Sequence, residues 1–260
     1  MIGAFRHPAD PRWYRASLWV VVASAWIVLA LWGASPFAGL LSHRSIGTGS
    51  LPPAVRAIIF VGGWTLMTIA MMLPSSLPLV NLFRTIVAER ADADRLVLRL
   101  VIGYLGMWAF FGILAYRGDA IVHRALEALP EFATAASWIG AMILLAAGVY
   151  QFTPLKQICL EKCRSPYSFV VEHWRGGRAG WDALWLGVRH GLFCVGCCWT
   201  LMLLMFAVGG ANLGWMLALG AVMAAERTTR WGRYLTRPLG VALTGVAVLL
   251  LAGIVTFPGS

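Results

Sequence analysis

The chain has 260 residues, 60% of them hydrophobic and only 12% charged, whereas soluble domains carry roughly 25% charged residues. That composition excludes an ordinary soluble domain: the apolar residues fall in blocks of about 17 to 25, long enough to cross roughly 30 Å of hydrocarbon. The net charge of +10 does not point to nucleic acid, because Lys and Arg cluster in short segments between apolar blocks, the pattern of membrane topology and anionic headgroups.

The expectation is a single all-α domain over residues 1–260, a polytopic membrane helix bundle of about seven spans. Arg6, Arg12 and Arg15 precede the first, 17–35, which is too long for a cleaved signal core. The second, 56–75, ends in Trp64-Thr-Leu-Met67-Thr-Ile-Ala-Met71-Met72-Leu-Pro74-Ser75-Ser76-Leu-Pro78. Pro74 and Pro78 are read as breaking this helix near one membrane surface. Broken backbone at membrane depth is tolerated only where protein or a water-filled cavity takes up the freed carbonyls.

The third span is 96–116. The segment 117–133 after it carries Asp119, His123, Glu127 and Glu131, read as a solvated amphipathic helix rather than a hard-metal site. Span four, 134–152, leads into Pro154-Leu-Lys156-Gln-Ile-Cys159-Leu-Glu161-Lys162-Cys163-Arg164. A helical turn there points Cys159 and Cys163 the same way, among basic residues that favour thiolates. Residues 167–180, with His173 and a Gly-rich turn, are read as a flexible linker, and His173 as a surface residue.

Span five, 183–208, holds the stretch around which the chain is organised, His190-Gly-Leu-Phe-Cys194-Val-Gly-Cys197-Cys198-Trp-Thr-Leu-Met202. Helical spacing puts His190, Cys194, Cys197, Cys198, Met202 and Met205 on one stripe. These soft and borderline donors suit Cu(I), or Zn(II) where thiolate and imidazole dominate. Cys and Met also fill apolar cores without any ligand. Span six, 212–225, is short, and Met223 and Glu226 lie at its far end, where Glu226 can pair with Arg227 or with a bound cation. Span seven, 239–257, has no ionisable residue.

Seventeen Lys and Arg fall on one side of this arrangement and four on the other, which puts the N-terminus inside and the C-terminus outside. Alternating the spans then gathers Met71, Met72, Cys159, Cys163, His190, Cys194, Cys197, Cys198, Met202 and Glu226 at the cytoplasmic face as candidate metal ligands.

Trp64…Ala70-Met71-Met72-Leu73-Pro74-Ser75, Tyr150-Gln151…Pro154-Leu155-Lys156…Cys159…Cys163-Arg164, Gly191…Cys194-Val-Gly196-Cys197-Cys198-Trp199 and Asn212…Trp215-Met216…Glu226-Arg227 together resemble a bacterial family of predicted metal-binding integral membrane proteins, a domain of unknown function. The resemblance covers roughly residues 60 to 230. It implies a multi-pass protein of the bacterial inner membrane that binds a metal ion. Many members carry Lys where this chain has Arg227, so the charge is kept.

Three function classes follow. The first is a metal handler, copper favoured and zinc possible, that holds or hands on the ion and is not an enzyme. A soluble metal carrier or another membrane protein would be its partner besides the lipid bilayer. The second is an accessory subunit of a membrane complex, with the 13 tryptophans and small-residue faces such as Gly240…Gly245 serving partner helices. The third is a membrane thiol–disulfide oxidoreductase using Cys194/Cys197 and Cys159/Cys163. No P-loop, dinucleotide fingerprint or GxSxG motif is present.

Overall fold

The computed structural model describes residues 11–35, 52–128, 136–209 and 213–254. Among the described residues the protein is all-α, with ten helices: α1 Pro11–Gly33, α2 Pro53–Met71, α3 Leu73–Ile86, α4 Ala93–Ala128, α5 Ala136–Tyr150, α6 Pro154–Arg164, α7 Pro166–His173, α8 Ala179–Gly209, α9 Leu213–Thr228 and α10 Gly232–Leu251. Five of them (α1, α2, α4, α8 and α10) contain stretches long and apolar enough to cross a membrane. α5 and α6, bent by 67° at Gln151–Thr153, make up to one more if taken as a broken span. The expected sixth span corresponds to α9, whose 16 residues fall short of the ~20 a perpendicular crossing needs.

The centre of the bundle is the α4–α8 pair. Gly103 meets the Leu184 carbonyl and Gly187 the Leu100 carbonyl so closely that a Cβ on either glycine would collide with backbone. Small residues permit this approach. Gly180 sits by Arg99 and Gly191 by Met107, so the two helices run parallel. α2 runs antiparallel to them, with Phe60 against Tyr116 and Trp64 against Phe111.

α2 ends at Met71, just before Pro74, as expected, whereas Pro78 lies inside the next helix without breaking it. Only Met72 separates the two, and α3 carries the chain on to Ile86, because Pro74 lies in the first turn of α3, where its missing N–H would be unpaired anyway. The break therefore lies deep in the bundle. Pro74 cannot donate to the carbonyl of Ala70, and Trp26 Nε1 of α1 donates to that oxygen instead, at 3.0 Å. The Met72 carbonyl accepts from Ser75 Oγ at 2.9 Å and Ser76 Oγ at 3.2 Å.

Of two further segments, the first differs from expectation and the second is helical as expected over its described part. Residues 167–173 form a helix, anchored by buried Phe169 and Val170, with Trp174 edge-on to Phe83. α4 continues through the segment expected after span three as far as Ala128, with Asp119 within it. The side chains of His123 and Glu127, and all of Glu131, lie outside the described residues. Gly240 packs on Phe152 and Gln151 of the same chain, so it serves the α5–α10 contact rather than a partner helix.

Candidate metal centre

The sulfurs meet around one buried cation. Arg227, near the C-terminus of α9, points its guanidinium at α8: Nη2 donates to Cys194 Sγ at 2.6 Å, lies 3.1 Å from Cys197 Sγ and 3.5 Å from Cys198 Sγ, and reaches the Cys194 carbonyl at 3.2 Å. Nη1 donates to Ser75 Oγ of α3 at 2.8 Å. All three cysteines are buried and unoxidised. Cys194 also faces two aromatic groups of α4, the Tyr104 hydroxyl at 3.0 Å and Trp108 Nε1 at 3.3 Å. Donors converging on a sulfur stabilise negative charge there.

α6 supplies the other two cysteines. Its first turn is capped by Thr153, which accepts from the Lys156 amide. Cys163, half-buried, brings its Sγ to 4.0 Å from Cys197. Cys159 lies against bare backbone: a Cβ on Gly196 would come within 2.6 Å of its Sγ. Met72 completes the sulfur set, with Sδ 3.8 Å from Cys198 Sγ. Met71 turns to α9, its methyl group packing on Gly220. Met202 is fully buried in the same core, one turn beyond Cys198.

His190 sits one turn before Cys194 on α8. Its Nε2 lies 3.3 Å from Ser76 Oγ, which donates onward to the Met72 carbonyl. That chain puts the proton on Nε2. Nδ1 is buried and has no hydrogen-bond partner among the described residues. A ring nitrogen fixed on one side and unpartnered on the other is how a metal-ligating histidine is held. Tyr104 stacks on the ring and Phe169 meets it edge-on.

Glu226 does not point at the sulfurs. Its carboxylate takes two hydrogen bonds from Lys156 Nζ, at 3.1 and 2.9 Å, with both side chains buried. Arg164 of α6 donates to the carbonyls of Glu226 and of Thr229, the latter at 2.6 Å, so α6 is fastened to α9 along its length. Sequence reasoning placed Arg227 only as a neighbour of Glu226, and missed Tyr104 and Trp108 altogether. The signal available was an Arg and a Glu closing an apolar segment, with a lone Lys156 opposite.

Counting Ala179 as the first of the 31 residues of α8, Cys194 to Cys198 are the sixteenth to twentieth, so the thiols lie near mid-helix. Among the described residues, no group of three or more His, Cys, Asp or Glu stands ready to hold a metal ion, and the Arg227 guanidinium lies among the three sulfurs. Chemically the donor set is thiol, thioether and imidazole, which suits a soft monovalent ion.

The fold is thus a helical bundle throughout its described residues, with thiol, thioether and imidazole groups buried at its centre. The family model described as PpoB2, copper chaperone, matches residues 61–250, and the chain belongs to that family. That membership supports a copper-related metal-binding role. Neither the curated proteins nor the solved structures contain a match to this chain.

Proposed function

We propose that the protein is an integral-membrane copper chaperone that holds Cu(I) at the α6/α8 sulfur cluster and passes it on. The observation that carries this reading is the convergence of Cys194, Cys197 and Cys198 on one buried point, with Cys163, Met72 and the unpartnered Nδ1 of His190 beside it. Cys163 is the most accessible of the five thiols and stands next to Cys197, so it is the natural acceptor from a soluble carrier. Each transfer is ligand exchange: an S–H bond on this chain breaks and a Cu–S bond forms as a Cu–S bond to the carrier breaks, the proton passes to the thiol the carrier regains, and copper remains Cu(I). Met72 adds a thioether that binds Cu(I) without losing a proton.

Membrane insertion is supported by the apolar surface. Ile58 is 72% exposed, Leu98 58% and Val241 65%, on helices long enough to span. Monomeric soluble proteins rarely leave such faces open. The setting proposed is a bacterial inner membrane, crossed seven times with the N-terminus inside, which fits the basic-residue bias. A membrane protein that receives the copper would make this chain an accessory subunit.

The test is metal analysis of protein purified in detergent under reducing conditions, followed by competition with a Cu(I) chelator. About one Cu(I) per chain is expected, lost in C194S and C197S and weakened in C163S. Preferential Zn(II), or no metal at all, would overturn the reading. The 4.0 Å approach of Cys163 to Cys197 favours one alternative, a thiol–disulfide relay. A Cys163–Cys197 disulfide that forms in turnover and withstands copper loading would establish it.

A further inference from the structure

Three charged side chains are buried among the described residues, Lys156, Glu226 and Arg227. Lys156 and Glu226 neutralise each other, so the counter-charge of the guanidinium has to come from the sulfurs it faces. Its described partners are three sulfurs, a carbonyl and a serine hydroxyl, with no carboxylate among them. An unpaired charge in an apolar interior is expensive, and a buried cation needs an anionic partner. We infer that Arg227 is the counter-charge of a buried copper–thiolate complex and sets the number of thiolates bound to Cu(I) at two. The inference rests on the Cu(I) reading above and goes beyond it by fixing the composition of the bound species.

The charges decide the number. Cu(I) with two thiolates carries one negative charge, which Arg227 cancels. With one thiolate the complex is neutral and the guanidinium stays bare. With three, an excess negative charge is buried instead. Loading breaks two S–H bonds and forms two Cu–S bonds, both protons leave to the buffer, and no electron moves. The remaining soft groups, Met72 and His190, are neutral and leave the balance unchanged. Ser75 anchors Nη1, which holds the guanidinium beside the sulfurs.

The experiment compares wild type, R227K and R227Q in detergent under reducing conditions. Cu(I) affinity is read by competition with bathocuproine disulfonate, and the sulfur coordination number by X-ray absorption on the copper. Wild type should show two thiolate sulfurs. R227Q should lose at least about tenfold in affinity, since one charge a few ångströms from the complex is removed, and should bind copper through fewer thiolates. R227K keeps the charge but cannot remake the fork to Ser75 and the Cys194 carbonyl, so it should stay within about tenfold of wild type with two sulfurs.

If Arg227 served only to tie α9 to α8, R227K would fail as R227Q does, and that result overturns the inference. So does an R227Q protein with unchanged affinity and sulfur count, or a wild type with three thiolates on copper. Should R227Q not fold, R227K alone decides: two sulfurs and near-native affinity support the proposal, and a larger loss overturns it. A wild type that binds no Cu(I) overturns the function reading and this inference together, whereas Cu(I) binding indifferent to Arg227 overturns only the inference.

Discussion

Lys156→Met isolates the energetics of the buried ion pair. In the folded protein Lys156 Nζ gives two hydrogen bonds to Glu226, and the side chains are 0% and 2% exposed, so water screens neither charge. Removing the ammonium strands a carboxylate in the bundle, and breaking a buried pair from one side costs about 3–5 kcal/mol. At roughly 2–4 °C per kcal/mol for a chain of this size, the unfolding temperature should fall by about 6–20 °C. Removing both charges as K156M/E226M leaves nothing stranded, and such double replacements are often neutral or stabilising, so most of the loss should return. The assay is a circular-dichroism melt in detergent with the four proteins of the cycle side by side. A double variant as damaged as K156M would refute the reasoning, because the loss would then come from packing between α6 and α9 and not from an unpaired charge.

Other substitutions test single contacts. W26F removes the only donor described for the Ala70 carbonyl that Pro74 leaves free, and should cost about 1–3 kcal/mol in the same melts; no loss would mean that another group satisfies that oxygen. G196A puts a methyl group 2.6 Å from Cys159 Sγ and should lift α6 off α8, so Cys163 should react faster with maleimide; unchanged rates would show that the Cys159 side chain simply turns aside. A periplasmic reporter fused at Ser260 should be active, and activity of a cytoplasm-only reporter there would sink the seven-span topology. Lys162 donates to Glu172 at 2.6 Å and holds its carboxyl below the usual carboxylate range. The contribution is present above the ordinary carboxylate pKa and lost as pH falls through the lowered one, but the pair is exposed, so E172Q should leave the melt at neutral pH unchanged.

The helices were legible because their signals are collective. Runs of apolar residues, interrupted by basic clusters, mark each expected span, and every one of the seven corresponds to a helix or a bent helix pair. What the pattern left unread was the packing around the breaks. Pro74 reads as a stop, yet a proline in the first turn of a helix is as compatible with a start, and only the side chains around Ala70 and Met72 distinguish the two. The polar composition of 153–182 reads as a loop outside the bilayer, but its first half returns as α6 to lie along α8. With α6 packed there, Cys163 meets thiols that a surface loop could not have reached.

The site itself was half legible, and the boundary falls between adjacent residues. Cysteines and methionines spaced by three or four share a helix face, so the α8 stripe follows from sequence alone. Neighbours at i and i+1 do not face each other on a helix, and at two of the places where the chain puts site residues side by side the partners could not be read. Met71 turns to Gly220 on α9, whereas Met72 reaches Cys198 on α8. Glu226 and Arg227 look like a local pair by charge, but the helix sends them in different directions, toward two different helices. Glu226 takes Lys156 of α6, and Arg227 is left to face the sulfurs of α8. The carboxylate that would have quenched the guanidinium is thereby committed elsewhere, and the positive charge is free to act on whatever the thiols bind.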